Sequence, residues 1–189
     1  MNRVLKFKTC KWCEVEFSPF NSMQKCCAPK CALLFTRAEH GKKESKAERS
    51  ELKRRKEKLM TMSDHMRLTQ AVVNRYVLAK NKDMPCICCG KSPYSGVRHA
   101  GHFKSRGANS FLTFNLWNIW PCCYSCNVEK GGNIHCYREG LVKRIGLEKL
   151  DYLDNAPRSR IYEIEYLKRM RKIFNKKIKI IDKLRAKRH

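Results

Sequence analysis

Acidic residues are scarce in this chain. Only 17 Asp and Glu stand against 42 Lys and Arg, a formal charge of +25 with His counted neutral. The scarcity is uneven, because no Asp or Glu occurs between Ser92 and Asn127, and Glu129 is the first beyond them. A centre that holds two hard cations needs a cluster of carboxylates, so that stretch excludes one. Long apolar runs are missing as well. None approaches the roughly 20 residues of a membrane-spanning helix, and Lys6, Lys8 and Cys10 follow Met1 too closely for the apolar stretch of an export leader. Gly and Cys are both absent from Lys42 to Pro85, which leaves a segment rich in helix-forming residues.

What is abundant is positive charge and cysteine. An excess of +25 far exceeds the roughly 2–8 of ordinary small domains and implies a polyanionic partner, since a compact protein repels itself at that charge and gains by releasing counterions from a phosphate backbone. A merely soluble basic surface and an acidic lipid surface are the blander alternatives. With no export signal, the 12 cysteines point to metal binding in a reducing, cytoplasmic compartment rather than to disulfides. A chain of 189 residues fits one ordinary domain or two small ones.

The cysteines fall into two groups, Cys10 to Cys31 and Cys86 to Cys136. Between them Leu52, Leu59, Met66 and Val73 recur every seven residues, which predicts one long helix, or two separated near Thr61–Ser63, running to about Lys80. From Gly41 to Lys82 the count is 13 basic against 5 acidic residues. That face is either solvated or set against DNA, and the stripe is also a candidate homodimer seam. Gly140 to Gly146 reads as a short amphipathic segment and Asp154-Asn155-Ala156-Pro157 as a turn. Beyond it Ile161, Ile164, Leu167, Met170, Phe174, Ile178, Ile181 and Leu184 mark one helical face, while Pro157 to His189 carries 13 basic against 3 acidic residues. Core packing explains the stripe, and phosphate contact explains the charge.

Cys10-x2-Cys13 followed by Cys27-x3-Cys31 can close a tetrahedron around Zn2+, with Cys26 left over. The second of these pairs is suited to opening a helix through Ala32-Leu33-Leu34-Phe35. Cys86-x2-Cys89 and Cys123-x2-Cys126, with 33 residues between them, form a second such set. Cys88, Cys122 and Cys136 are then spare. Four thiolates leave no open position for water, so both sites read as structural.

Between the second pairs lie Arg98-His99-Ala100-Gly101-His102-Phe103 and Asn115-Leu116-Trp117-Asn118. With Phe17-x-Pro19, Arg106-Gly107-Ala108, Cys126-Asn127, Gly132-Asn133 and Tyr137-Arg138 in order, the chain resembles the HNH endonucleases. More closely it resembles the NinG (Rap) recombination endonucleases of lambda-like phages. The resemblance implies an α+β fold: a small zinc-bound ββα-metal (HNH) core, an N-terminal zinc-ribbon-like module and long basic helices. The corresponding divisions are residues 1–40, 41–84, 85–140 and 141–189. It implies His102 as general base, Asn118 as the Asn that orients it, and Asn127 as a ligand of a single catalytic Mg2+ or Mn2+. It further implies branched double-stranded DNA (Holliday junctions, D-loops) as substrate, inside a bacterial host, with phage or host recombination proteins as further partners.

Two departures from that pattern stand out: Gly101 occupies the place of an acidic ligand, and Asn127 stands where many relatives have His. His99, two residues before Gly101 on the same face of a regular strand, is placed to fill the empty ligand position. Independently of the resemblance, a His near its ordinary pKa takes a proton from water at neutral pH, worth roughly 10²–10⁴-fold. Lys104, Arg106 and Lys130, and Arg98 beside them, are placed to meet phosphates. Phe103, Trp117 and Trp120 read as core, and His135 as surface. The competing functions are a DNA-binding zinc protein without activity, which has no use for His102 and Asn118 between the zinc pairs, and an assembly factor that dimerises through the Leu52–Val73 stripe.

Overall fold

The structure is a computed structural model and describes residues 6–92 and 96–187. Residues 1–5, on which the reading against a leader rests, lie outside it, as do Arg188 and His189 of the basic tail. The chain is mixed α+β with two small antiparallel hairpins, and it divides into two compact units, Met1–Met60 and Thr61–His189.

In the first unit, β1 (Lys8–Thr9) pairs with β2 (Glu16–Phe17) in the register Lys8↔Phe17 and Thr9↔Glu16. Helix α1 (Pro29–Lys58) follows, with Pro at its first turn, where a missing N–H costs nothing. It buries no residue fully; Cys31, Leu34 and Phe35 near its start are half-buried, and the rest is largely solvated and carries exposed pairs such as Glu51 with Arg54 and Arg55. Pairs of that kind, screened by water and salt, contribute little to stability.

The second unit begins at a capping box. Thr61 Oγ1 accepts from Asp64 N, and the Asp64 carboxylate accepts from Thr61 N, which starts α2 (Met62–Lys80) afresh. The two-helix form of the central segment is therefore the one that occurs. Its heptad stripe divides at that point: Leu52 and Leu59 are exposed, whereas Val73 is fully buried. Strands β3 (Arg98–His102) and β4 (Ile119–Cys123) pair antiparallel with His102 opposite Ile119 and Gly101 opposite Trp120. A five-residue π-helical turn, Ser125–Glu129, leads to α3 (Ile134–Asn155). That helix runs straight through Gly140 and breaks at Gly146 (φ 80°, ψ 170°), so the Gly140–Gly146 segment is part of a longer helix. It ends where the turn at Asp154–Pro157 is expected.

Helix α4 (Ile164–Ala186) lies against α2, and its periodic face supplies Leu167, Phe174 and Ile178 to a core with Val73, Tyr76 and Val77. Ile161 lies outside the helix and is exposed, as is Leu184. Arg171 reaches across to the His65 carbonyl (3.2 Å) and Thr69 Oγ1 (3.0 Å), and Arg185 Nη2 donates to the Ala79 carbonyl. A second core joins the cysteine-bearing end of the hairpin to α3 through Ile87, Phe103, Leu112, Tyr137, Leu141 and Leu153. The hairpin thus stands between two cores, which fixes its strands on both faces. No helix among the described residues is long and apolar enough to cross a membrane.

Candidate active site and metal centres

The second set of cysteines closes on itself. The loop from Cys86 turns back through Gly90 N to the Cys86 carbonyl (3.0 Å) and Cys86 N to the Lys91 carbonyl (2.9 Å), bringing Cys89 beside Cys86. Cys123 ends β4 and Cys126 lies in the π-helical turn. All four sulfurs lie within 4.8 Å of one another, and Cys89 and Cys123 are 3.7 Å apart. A Zn–S distance of about 2.3 Å sets tetrahedral edges near 3.8 Å, so the group fits a tetrahedral ion. Burial pushes the Cys86 thiol up, but the backbone amides of Cys89, Cys123 and Cys88 outweigh it and hold the thiol at about 6.

The first unit repeats the arrangement on a different frame. Cys10 and Cys13 sit in the turn between β1 and β2, Cys27 just before α1 and Cys31 in its first turn. Sulfur separations are 3.5 Å for Cys13–Cys27 and 3.7 Å for Cys27–Cys31. The Cys10 thiol is held at about 6, first by the amide of Cys13, against burial and with help from Cys27 and Trp12. Cys26 is buried outside this group, as the choice of Cys27 requires. Both sets therefore offer four thiol ligands to one ion each.

Two of the spare cysteines are not isolated. Cys88 and Cys122 sulfurs are 3.6 Å apart, and Cys122 is 3.8 Å from Cys86, so these three form a further close thiol group. Cys122 is fully buried, and its thiol is pushed up first by its hydrogen bond with Cys88 and then by burial. Cys136 lies in α3 outside all three groups.

Gly101 has a direct steric reason. A Cβ there would lie 2.9 Å from Asn127 Oδ1 and 3.1 Å from Cys122 Cβ, so a side chain before His102 would have to displace the Asn127 carboxamide. Tyr137, fully buried, bridges the strands at the same level: its hydroxyl donates to the Gly101 carbonyl (2.8 Å) and accepts from Trp120 N (3.0 Å). His99 shares the Gly101 face, with its ring 5.8 Å from that of Tyr124 and its Nε2 buried without a hydrogen-bond partner. A cleft of about 470 Å³ opens there between Lys91, His99, Tyr124 and Ser125.

His102 faces the other way. Its Nε2 lies 3.3 Å from the Thr113 carbonyl and 3.3 Å from the Gln70 carboxamide of α2. Its pKa is lowered, first by burial and then by the Arg106 charge, against the raising effect of the Thr113 and Ala100 carbonyls. Asn118, fully buried, does not bond to the His102 ring. Its Oδ1 accepts from Lys104 N (2.8 Å), its Nδ2 donates to the carbonyls of Lys104 (3.0 Å) and Leu112 (3.1 Å), and its own carbonyl accepts from Phe103 N (2.9 Å). The structure thus brings His99 and Asn127 to one face of β3 and His102 to the opposite one. Asn118 clamps the loop that follows His102 and the residue before Thr113.

The expected phosphate-binding side chains separate. Lys104 pairs with Asp154 (2.9 Å), which also holds Arg138 (2.6 Å), and Arg98 is spent on the carbonyls of Lys82 and Met84 at the end of α2. Arg106 and Lys130 are exposed. Phe103 is buried, Trp120 is partly buried with Arg144 over its ring, and Trp117 is exposed at its rim. His135 is an exposed partner of Glu139. Gln70 and Thr113 have no sequence signal that ties them to His102, because one acts from another helix and the other through its backbone. Asp154 was legible only as part of a turn.

The profile of the family described as "Bacteriophage Lambda NinG protein" matches residues 2–184. "Protein ninG" of Escherichia phage lambda is 30% identical over 181 residues, covering 88% of this chain and 88% of the relative. "Protein ninG" of Escherichia phage 933W is 29% identical over 186 residues, with 91% and 92% covered. For Salmonella phage P22 the identity is 29% over 181 residues, with 88% and 89% covered. No solved structure matches the chain. Matched along nearly all its length by one profile and by relatives of similar extent, the chain belongs to the NinG family of lambda-like phage proteins.

Proposed function

We propose that the chain hydrolyses phosphodiester bonds in branched double-stranded DNA, with His102 as general base in a ββα-metal (HNH) centre formed by β3, β4 and the π-helical turn. As a member of its family it is a structure-specific DNA endonuclease acting on recombination intermediates. Holliday junctions and D-loops are the substrates this reading names, in the cytoplasm of the bacterial host.

One observation carries the reading: His102 ends a strand locked by a four-cysteine group and is kept below the ordinary His pKa by burial. It is therefore neutral at pH 7 and ready to accept a proton. In the step, water loses a proton to the imidazole as its oxygen bonds to phosphorus. The bond from phosphorus to the 3′-oxygen breaks, and the leaving oxygen is protonated. Asn118 keeps His102 in place through the backbone on either side of the Thr113 contact.

His99 Nε2, buried without a partner, and Asn127 Oδ1, beside Gly101, would be the donors for a catalytic divalent ion, across β3 from His102. Mg2+ or Mn2+, when bound, would supply Lewis-acid chemistry at the phosphate. Both donors are neutral, so most of such an ion's shell is left to water and to the phosphate itself. Zn2+ in the two four-cysteine groups is structural, since all four positions are taken by protein.

A binder without activity would carry the same charge and the same four-cysteine groups. The discriminating experiment incubates purified protein with four-way, three-stranded and linear duplex DNA, with and without Mg2+ or Mn2+, beside His102→Ala. Ion-dependent cutting of the branched forms that His102→Ala lacks is the expected result. Binding without cutting, or equal cutting by His102→Ala, removes the proposed mechanism.

A further inference from the structure

Gln70 lies on α2, outside the segment that carries the cysteine pairs and the HNH residues, and it is 6% exposed. Its carboxamide nitrogen is placed 2.6 Å from Asn74 Oδ1 and 3.3 Å from His102 Nε2, while its Oε1 is buried with no hydrogen-bond partner. The same His102 Nε2 lies 3.3 Å from the Thr113 carbonyl, which is an acceptor and cannot turn into a donor. The Thr113 carbonyl acts on the ring ahead of the Ala100 carbonyl, so Nε2 is the nitrogen that carries the hydrogen, for a lone pair there would face the Thr113 oxygen. A donor from Gln70 toward a nitrogen that already carries hydrogen is repulsive.

A half-turn of the carboxamide exchanges its oxygen and nitrogen and removes the conflict. With Asn74 turned likewise, the bond between the two amides is kept. Oε1 then accepts from Asn74 Nδ2 and from His102 Nε2–H, and the amide nitrogen moves to the place where the oxygen found no donor. The turned pair sets an acceptor in place of a donor against Nε2–H, and that makes it the more stable one.

We propose that Gln70 is a positioning residue for the nuclease reaction: with the Thr113 carbonyl it accepts from Nε2–H of His102, so that Nδ1 is the nitrogen that takes the proton from water. A ring held by Nε2–H alone is free to exchange tautomers, and the Nδ1–H form has no lone pair at Nδ1 with which to act. Two acceptors at Nε2 suppress that form and steady the ring plane. They also support the imidazolium that the step creates. Arg106 is the charge set against the ring, and it opposes that cation. α2 contributes the neutral amide of Gln70, and β4 sets Ile119 opposite His102. The core that seats α2 against α4 thereby becomes part of the catalytic apparatus.

The inference rests on His102 as the base, and its test is read without cleavage. Long-range proton–nitrogen correlation spectra of the 15N-histidine, zinc-loaded full chain, assigned with His102→Ala, give the tautomer of His102 directly. The expected result is Nε2–H in the unaltered chain. Gln70→Glu, which keeps the shape and places a carboxylate at Nε2–H, should raise the His102 pKa by about one unit or more, and the acid limb of the cleavage profile should move with it. Gln70→Ala should give a mixed tautomer and a lower kcat at unchanged KM, a loss bounded by the roughly 10²–10⁴-fold a general base supplies.

An Nδ1–H tautomer in the unaltered chain overturns the proposal, even if no variant folds. So does a His102 resonance that Gln70→Glu leaves in place. Should the tautomer and its shift appear as expected while His102→Ala still cuts DNA, the general-base reading fails and the positioning of His102 by Gln70 stands.

Discussion

Asn118 grips Lys104 from both sides: its Oδ1 accepts from the Lys104 amide at 2.8 Å and its Nδ2 donates to the Lys104 carbonyl at 3.0 Å. The same Nδ2 donates to the Leu112 carbonyl at 3.1 Å, so one side chain pins the start of the loop 103–118 and the residue before Thr113. His102 hangs between those two points.

Asn118→Ala leaves three backbone groups without that partner, and each one that stays buried and unpaired costs about 1–3 kcal/mol. The expected outcome is a clear drop in Tm with both cysteine-bound ions retained, and cleavage reduced at temperatures where the variant is still folded. Circular dichroism, elemental analysis and a junction-cleavage assay on one preparation check it. Unchanged cleavage in the folded variant would show that the clamp does not position His102.

The lowered His102 pKa gives a pH dependence with a definite sign. In the proposed mechanism the neutral ring is the base, so cleavage should rise with pH through a value below the ordinary 6.5 and be level from there to neutrality. Stability follows the same direction. In the unfolded chain this His takes up its proton at the ordinary value, whereas the fold resists it, so its contribution is full above that value and is lost as the pH falls below it. A cleavage profile whose acid limb lies above 6.5 would contradict a His102 buried in this way.

Metal removal should separate the two units. Zinc-reconstituted protein is expected to hold two tightly bound ions per chain, one for each four-cysteine group. Cys10→Ser should lose one ion and loosen the first unit, with cutting by the second retained. Cys89→Ser should lose the other ion and abolish cutting, because Cys123 ends β4 and Cys126 lies in the turn that carries Asn127. Cleavage by metal-loaded Cys89→Ser at the normal rate would dissociate this four-cysteine group from the active hairpin.

How much of this was legible in the sequence follows from the range of the interactions. Cysteine pairs report themselves through local spacing, and so do the capping box at Thr61 and Asp64 and the periodic face of α4. The site is legible only where residues act from the motif itself. His99, His102 and Asn127, the proposed site residues, are named by pattern, and glycine at 101 fits the close approach of Asn127 Oδ1, 2.9 Å from where a Cβ would be. Gln70 escapes because it reaches His102 from a different helix, and Thr113 because a carbonyl carries no residue type. Cys88 and Cys122 look spare for the same reason: the hairpin brings them to 3.6 Å across 34 positions. The Gly140–Gly146 segment is misjudged because glycine usually punctuates, whereas here α3 continues through the first and bends at the second.

The basic face of α4 carries charge that its packing does not account for. Leu167, Phe174 and Ile178 hold the helix on α2, and Arg171 and Arg185 are bonded to α2 itself, so those five residues belong to the fold. Lys172, Lys176, Lys179 and Lys183 are exposed. Phosphate contacts of such side chains position a nucleic acid without reading its bases, and each one lost should reduce the log–log salt slope of binding by about 0.9 on duplex DNA. Truncation at Phe174 is an unsuitable test, since it removes Ile178 from the core. Replacing the four exposed lysines with Gln keeps that core and leaves Arg171 and Arg185 in place. The expected result is weaker binding to four-way and linear DNA alike, with a slope shallower by up to about 3.6 and an unchanged Tm. Replacing Arg171 alone should lower Tm and leave the slope as it was. Fluorescence anisotropy on one junction across a salt series measures the slopes, and equal slopes for the four-lysine variant and the unaltered chain would mean that α4 serves the fold and not the DNA.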